Sequence, residues 1–161
     1  MEGTGTVVGK AAPDFTLINH QGNKVKLSEK LKTSAVLLVF YPGDFTPVCT
    51  RQLCNYRDSL SDFSKLGIEI IGISSNPPES HAEFVKTYGF PFPLLSDVKK
   101  ETAKLFNCTS LFMMGSVSRA VFIINKKGII LYRYVEPTVL TRRTSDELVG
   151  ILNDLKKNSL I

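Results

Sequence analysis

Ala35-Val36-Leu37-Leu38-Val39-Phe40-Tyr41-Pro42-Gly43-Asp44-Phe45-Thr46-Pro47-Val48-Cys49-Thr50-Arg51-Gln52-Leu53-Cys54 is the stretch that decides the fold. From Ala35 to Tyr41 it is apolar throughout, as a strand must be when it is covered on both faces at the centre of a parallel or mixed sheet. Pro42-Gly43 stops that strand. From Val48 to Lys65 the apolar residues Leu53, Tyr56, Leu60 and Phe63 recur at spacings of three and four, which predicts an amphipathic helix closed by Gly67. A central strand therefore hands over directly to a long helix, and Cys49 falls in the first turn.

Working outward, Ile68-Glu69-Ile70-Ile71-Gly72-Ile73 reads as the next buried strand. A helix over Pro78 to Tyr88 crosses back to Phe92-Pro93-Leu94-Leu95. A helix near Val98 to Phe106 follows. Ala120 to Ile124 and Ile129 to Tyr134 then flank Asn125-Lys126-Lys127-Gly128, a strong hairpin signal, and Ser145 to Lys156 supplies a final helix. On the N-terminal side, Phe15 to Ile18 and Lys24 to Leu27 form a second hairpin across Asn19-His20-Gln21-Gly22-Asn23, after which Ser28 offers an N-cap. The order β-α-β-α then β-β-α, preceded by an extra hairpin, predicts an α/β chain of thioredoxin-like fold, a central mixed β-sheet flanked by helices with an N-terminal β-hairpin extension.

At 161 residues, with no visible repeat or low-complexity segment, the chain is expected to form one domain over 1–161. Its 43% hydrophobic and 22% charged residues make disorder a poor fit and allow a core without metal or disulfide staples. The apolar run Ala35 to Tyr41 is far shorter than the roughly 18–20 residues that cross a bilayer, and Met1 to Lys10 has neither a basic n-region nor an apolar h-region. Neither membrane insertion nor a secretory signal is expected. The net charge of +5 is carried by scattered pairs such as Lys99-Lys100 and Arg142-Arg143, not by a stripe with aromatic platforms, so no nucleic-acid partner is expected. Three cysteines, an odd number, point away from an extracellular disulfide framework and toward a reducing, cytoplasmic compartment.

The chemistry concentrates between Pro42 and Cys54. A cysteine in a first helical turn meets unpaired N–H groups and the positive end of the macrodipole, which favour thiolate over thiol. An ordinary cysteine is only about 3% ionised at pH 7, so ionisation alone gains at most about 30-fold in reactivity. Further acceleration has to come from positioning and from stabilising a leaving oxygen. Pro42 and Pro47 stiffen the loop, and Thr46 sets a hydroxyl three residues before the sulfur, suited to a small oxygen-rich substrate. Each residue also has a plainer reading: Pro47 as a helix starter, Thr46 as its cap, Cys49 as one more small buried residue. The residues alone leave both readings open.

The full pattern resembles a known family. Pro42-Gly-Asp-Phe-Thr46-Pro47-Val-Cys49 is similar to the Pro-x-x-x-Thr/Ser-x-x-Cys motif of the peroxiredoxins, and most like the Q subfamily, the bacterioferritin-comigratory type, where a second cysteine follows five residues later. Here that residue is Cys54. The resemblance runs through Gly9 to Phe15, Gly72-Ile73-Ser74, Ser80-His81-x-x-Phe84, Phe92 to Asp97 and Ser118 to Ile124. It implies that Cys49 is a peroxidatic nucleophile and Cys54 its resolving thiol. It also implies that Arg119, at the start of a late strand, approaches the reactive sulfur. Two positions depart from the pattern: Gln52 stands where Glu is frequent, and Ala120 where Thr is common.

The implied Cys49–Cys54 pairing has a geometric consequence. On an unbroken α-helix, five residues of rise place the two Cα atoms about 8.6 Å apart. A disulfide needs less than about 7 Å. The bond then requires local unwinding, and reduced and oxidised forms must differ around residues 47–57.

The sequence therefore reads as a thiol peroxidase that reduces hydrogen peroxide and organic hydroperoxides with no cofactor. Thr46 and Arg119 would hold the peroxide, and thioredoxin or a glutaredoxin would recycle the disulfide. The chain is expected to be a monomer, with a dimer as the alternative. A thiol–disulfide oxidoreductase on the same fold would need Cys-x-x-Cys, which is absent, and a peroxide-switched binding protein or holdase would consume about one peroxide per chain. Cys108 is read as a buried bystander. Neither His20 nor His81 makes a credible pair with Cys49, and Cys-x4-Cys with two distant histidines is a poor metal pattern.

Overall fold

The computed structural model describes residues 7–110 and 114–161; residues 1–6, part of the stretch read for a leader, lie outside them. Alternation along β3 (Ala35–Phe40) sends Val36, Leu38 and Phe40 to one face of the sheet and Ala35, Leu37 and Val39 to the other. All are buried, so both faces must be covered. On one side β3 runs parallel to β4 (Ile68–Ser74), with Phe40 opposite Ile73. On the other it runs antiparallel to β8 (Ala120–Ile124), with Phe40 opposite Ala120. Adding β1 (Thr16–Asn19), β2 (Lys24–Lys26), β5 (Leu94–Ser96) and β9 (Ile130–Val135) gives the order β2-β1-β5-β4-β3-β8-β9.

The Leu37 and Val39 face is covered by α2 (Pro47–Asp58), α3 (Leu60–Lys65), α4 (Pro78–Tyr88) and α6 (Ser145–Lys157), which contribute Leu53, Phe63, Phe84 and Leu148. The opposite face receives Leu27 from α1 (Leu27–Lys30) and Ala103 from α5 (Glu101–Leu105), with Phe106 packed against Phe40 and Phe122. The order β3-α2-β4-α4-β5 followed by β8-β9-α6 is the thioredoxin-like arrangement expected, and the β1–β2 hairpin extends the sheet by pairing β1 with β5.

Several boundaries differ from the sequence reading, each for a local reason. The helix expected over 48–65 is two helices. Ser59 leaves helical geometry at φ −105°, ψ 14°, and its hydroxyl donates to Ser145 Oγ at 2.9 Å, tying the break to the start of α6. Ser28 is not an N-cap but lies inside α1, with its hydroxyl donating to Asp14 Oδ2 at 2.8 Å. The helix expected from Val98 begins only at Glu101, because Asp97 accepts from the N–H groups of Thr102 and Ala103 and Lys100 takes a left-handed φ of 60°. The strand expected from Phe92 begins at Leu94, after Pro91 and Pro93, which have no N–H for a ladder. The ribbon of β6 (Thr109–Ser110) and β7 (Ser116–Val117) is too short to leave a periodic trace.

α2 packs on the sheet through Leu53, among others, which is 0% exposed. Leu53→Ala should lower unfolding free energy by about 2–5 kcal/mol in urea titration, the range for a Leu-sized cavity. A loss under about 0.5 kcal/mol, the surface-substitution range, would contradict its place in the core.

Candidate active site

Strand register builds the site. Because Ala120 pairs with Phe40, Arg119 arrives beside Tyr41, at the end of β3 from which the chain departs toward α2. That departure is tight. Phe45 adopts φ 62°, a left-handed conformation that costs a non-glycine residue roughly 1–3 kcal/mol, and its ring rests on Phe84 with centroids 4.8 Å apart. Thr46 follows as the N-cap in extended geometry, and Pro47 takes the first helical position. Proline has no N–H, and the first intrahelical bond runs from the N–H of Thr50 to the Thr46 carbonyl at 2.9 Å. The N–H groups of Val48 and Cys49 are thus the donors this turn leaves for a ligand.

Cys49 is fully buried, and Nη1 of Arg119 donates to its Sγ at 2.8 Å. The same nitrogen reaches Gln52 Oε1 at 3.2 Å, while Nε and Nη2 donate to the carbonyls of Thr141 and Val139 at 3.1 and 3.2 Å. Arg119 is 3% exposed. Of these partners only the Cys49 sulfur can carry a negative charge, so a buried cation faces it across hydrogen-bonding distance. Gln52, where a charge was in question, accepts from Arg119 and donates to the Tyr56 hydroxyl at 2.9 Å, which in turn donates to the Arg143 carbonyl. An uncharged amide therefore orients the arginine without neutralising it. Burial first of all pushes the Tyr56 phenol far above its ordinary range, which keeps that proton in place.

The other sequence-predicted residues fall as follows. Thr46 is exposed at the mouth, and its hydroxyl donates to the Gly43 carbonyl at 2.9 Å, so toward a ligand it offers lone pairs. Pro42 is half-buried in the same loop. Cys54 lies five residues beyond Cys49 on the same unbroken α2, half-buried, and both are free thiols. Burial lifts the Cys54 thiol above its ordinary value, with Arg57 partly opposing. Cys108 is on the opposite face of the sheet, its thiol pushed far up by burial and donating to the Ala103 carbonyl. A cavity of about 860 Å³ lies at the other end of β3 and β4, beside Ala35 and Ile68, and no cysteine lines it.

Sequence reasoning missed a second cluster. Asp44, directly before Phe45, accepts from the Tyr41 hydroxyl at 2.6 Å and from Ser80 at 2.7 Å, and lies 2.7 Å from Nδ1 of the fully buried His81. Its backbone N–H donates to Asn76 Oδ1. The signal was present in Ser80-His81 on α4, but the partners are some forty residues apart and only the fold joins them. No metal-binding group of His, Cys, Asp or Glu occurs among the described residues, and no described helix is long and apolar enough to cross a membrane.

Comparison with known proteins places this geometry in context. The profile described as the AhpC/TSA family matches residues 8–133. A peroxiredoxin Q, chloroplastic, of Oryza sativa subsp. japonica is 42% identical over 126 residues, covering 78% of this chain and 58% of its own length. The chain thus spans about three fifths of the length of the rice and wheat relatives it matches. A peroxiredoxin of Thermoplasma volcanium is 35% identical over 158 residues, 94% of this chain and 76% of its own. The crystal structure of peroxidoxin BcpB from Mycobacterium tuberculosis superposes with a TM-score of 0.85 at 28% identity, over 93% of this chain and 98% of that one.

Arg119→Ala should slow the first reaction of Cys49 with hydrogen peroxide more than Arg119→Lys does, since a planar guanidinium can serve sulfur and amide together and an ammonium acts as a point charge. Stopped-flow rates equal for the wild type and Arg119→Ala would remove Arg119 from the site.

Proposed function

The chain belongs to the AhpC/TSA family, and from that premise we propose that it is a thiol peroxidase that reduces hydrogen peroxide and organic hydroperoxides. The observation that carries the reading is the 2.8 Å contact between Arg119 Nη1 and Cys49 Sγ inside a buried site. The Cys49 thiolate attacks the near oxygen of the peroxide, the O–O bond breaks, and the departing oxygen leaves as water or alcohol after taking a proton. Arg119 and the N–H groups of Val48 and Cys49 stabilise the charge that develops on that oxygen, while Thr46 accepts from the peroxide O–H and Pro42 stiffens the loop. Phe45, Val139 and Leu140 are exposed on the segments that hold Thr46 and Arg119, which supports organic hydroperoxides beside hydrogen peroxide.

Sulfenic acid on Cys49 then condenses with the Cys54 thiol, releasing water and forming a disulfide, and a dithiol of the thioredoxin or glutaredoxin kind reduces it. Each step is balanced by thiols and peroxide and calls for no cofactor. We assign the activity to a single domain over 1–161, acting as a monomer in a reducing cytoplasmic compartment.

Cys49→Ser should lose peroxide turnover, since a serine hydroxyl is not ionised at neutral pH and is a far poorer nucleophile toward O–O bonds. Cys54→Ser should react once, leaving a sulfenic acid that a sulfenate trap labels, and should fail to recycle with thioredoxin. Turnover retained by Cys49→Ser would overturn the reading. Recycling lost in Cys108→Ser in place of Cys54→Ser would name a different resolving thiol.

A further inference from the structure

The Asp44–His81 cluster lies outside the reacting atoms yet grips the loop that presents them. His81 is 0% exposed, and its Nε2 faces the Leu95 carbonyl at 3.0 Å. A carbonyl can only accept, so Nε2 carries a proton. On the other side Nδ1 meets Asp44 Oδ2 at 2.7 Å, and that carboxyl also receives the Ser80 hydroxyl on Oδ2 and the Tyr41 hydroxyl on Oδ1. Burial and then the negative charge of Asp44 hold the Tyr41 phenol well above its ordinary range, so its proton stays on and is donated. Two hydroxyl donors, one on each oxygen of the carboxyl, favour its ionised form. The proton between Nδ1 and Oδ2 therefore belongs to the ring. The other titratable group facing His81 is His20, from the β1–β2 turn, whose Nδ1 accepts from the Leu94 N–H. Burial and then the His81 charge lower its pKa, so it stays neutral.

The cluster has a mechanical effect. Asp44 is held at its N–H by Asn76 and at its carboxylate by Tyr41, just past β3, and by Ser80 and His81 of α4, immediately before the strained Phe45 and two residues before Thr46. A residue fixed at its backbone and its side chain sustains a left-handed conformation that Phe45 would otherwise leave.

We propose that Asp44 and His81 form a buried carboxylate–imidazolium pair that fixes the Phe45–Thr46 turn, making them positioning residues for the attack by Cys49. This role rests on the peroxidase reading, whereas the ion pair does not. The pair acts through Thr46, which offers its lone pairs to substrate only while the turn holds its hydroxyl proton on Gly43.

The test joins a spectroscopic and a kinetic readout. In 15N-histidine NMR of the reduced wild-type protein at pH 7, His81 should show protons on both ring nitrogens, and Asp44→Asn should leave one. Reaction with hydrogen peroxide should slow about 10- to 100-fold in Asp44→Asn, the scale of an ångström-sized misplacement. In a Thr46→Val background the same substitution should add less than about 2-fold, because both changes remove one arrangement. Should Asp44→Asn not fold, Tyr41→Phe and Ser80→Ala each remove one hydrogen bond and should slow the reaction about 2- to 10-fold, again without additivity to Thr46→Val. A neutral His81 ring in the wild type would overturn the pair, and losses that add to that of Thr46→Val would overturn its action through Thr46. A protein with the imidazolium signal but no peroxide reaction would sink the peroxidase reading and the positioning role with it, leaving the pair itself supported.

Discussion

The hydrogen bond from Arg119 to Cys49 is the interaction on which the rest of the structure depends. A buried guanidinium needs partners at every edge, and the chain supplies two loop carbonyls, Thr141 and Val139, an amide, Gln52, and one sulfur. Geometry decides what faces that sulfur: the β3–β8 register brings Arg119 to the end of β3, and its Nη1 lies 2.8 Å from Cys49 Sγ. The same geometry gives Gln52 its significance. A carboxylate there would compete for the guanidinium, and the amide leaves its charge to the sulfur.

α2 serves two opposing demands. Intact, it seats Cys49 against Arg119 and keeps Cys54 five residues away along the axis, beyond the reach of a disulfide. Its outer turns are tied to the start of α6 by Tyr56 on the Arg143 carbonyl, by the N–H of Ser145 on Asn55, and by Ser59 on Ser145. These bonds are what the local opening required by the proposed disulfide would have to break. The interruption at Ser59 separates α2 from α3, whose Phe63 is buried in the core.

The alternation and length of the apolar runs made the central strands, α4 and the thioredoxin-like order legible from residues alone, since a doubly covered strand such as Ala35–Phe40 tolerates no polar residue. Helix ends were less legible. Ser59, Asp97 and Ser28 each had a side chain whose partner, Ser145, Thr102 or Asp14, only the folded chain reveals. The site divides in the same way. Cys49, Cys54, Thr46 and Pro42 lie within thirteen residues and were visible together, and Arg119 was reached through family resemblance. The cluster of Tyr41, Asp44, Ser80 and His81 was not visible, because hydrogen bonds between residues some forty positions apart leave no periodic trace. His81 was judged only against Cys49, and the carboxylate it meets is Asp44.

The central claim is that one helix both seats Cys49 against Arg119 and withholds Cys54, so that the disulfide and an intact α2 exclude each other. Amide hydrogen exchange of the reduced protein and of its Cys49–Cys54 oxidised form tests it most directly. The account predicts faster exchange across Leu53 to Asp58 on oxidation, with Val36 to Phe40 of the central strand equally protected in both. Equal protection of Leu53 to Asp58 in both forms, with the disulfide shown to be present, would contradict it.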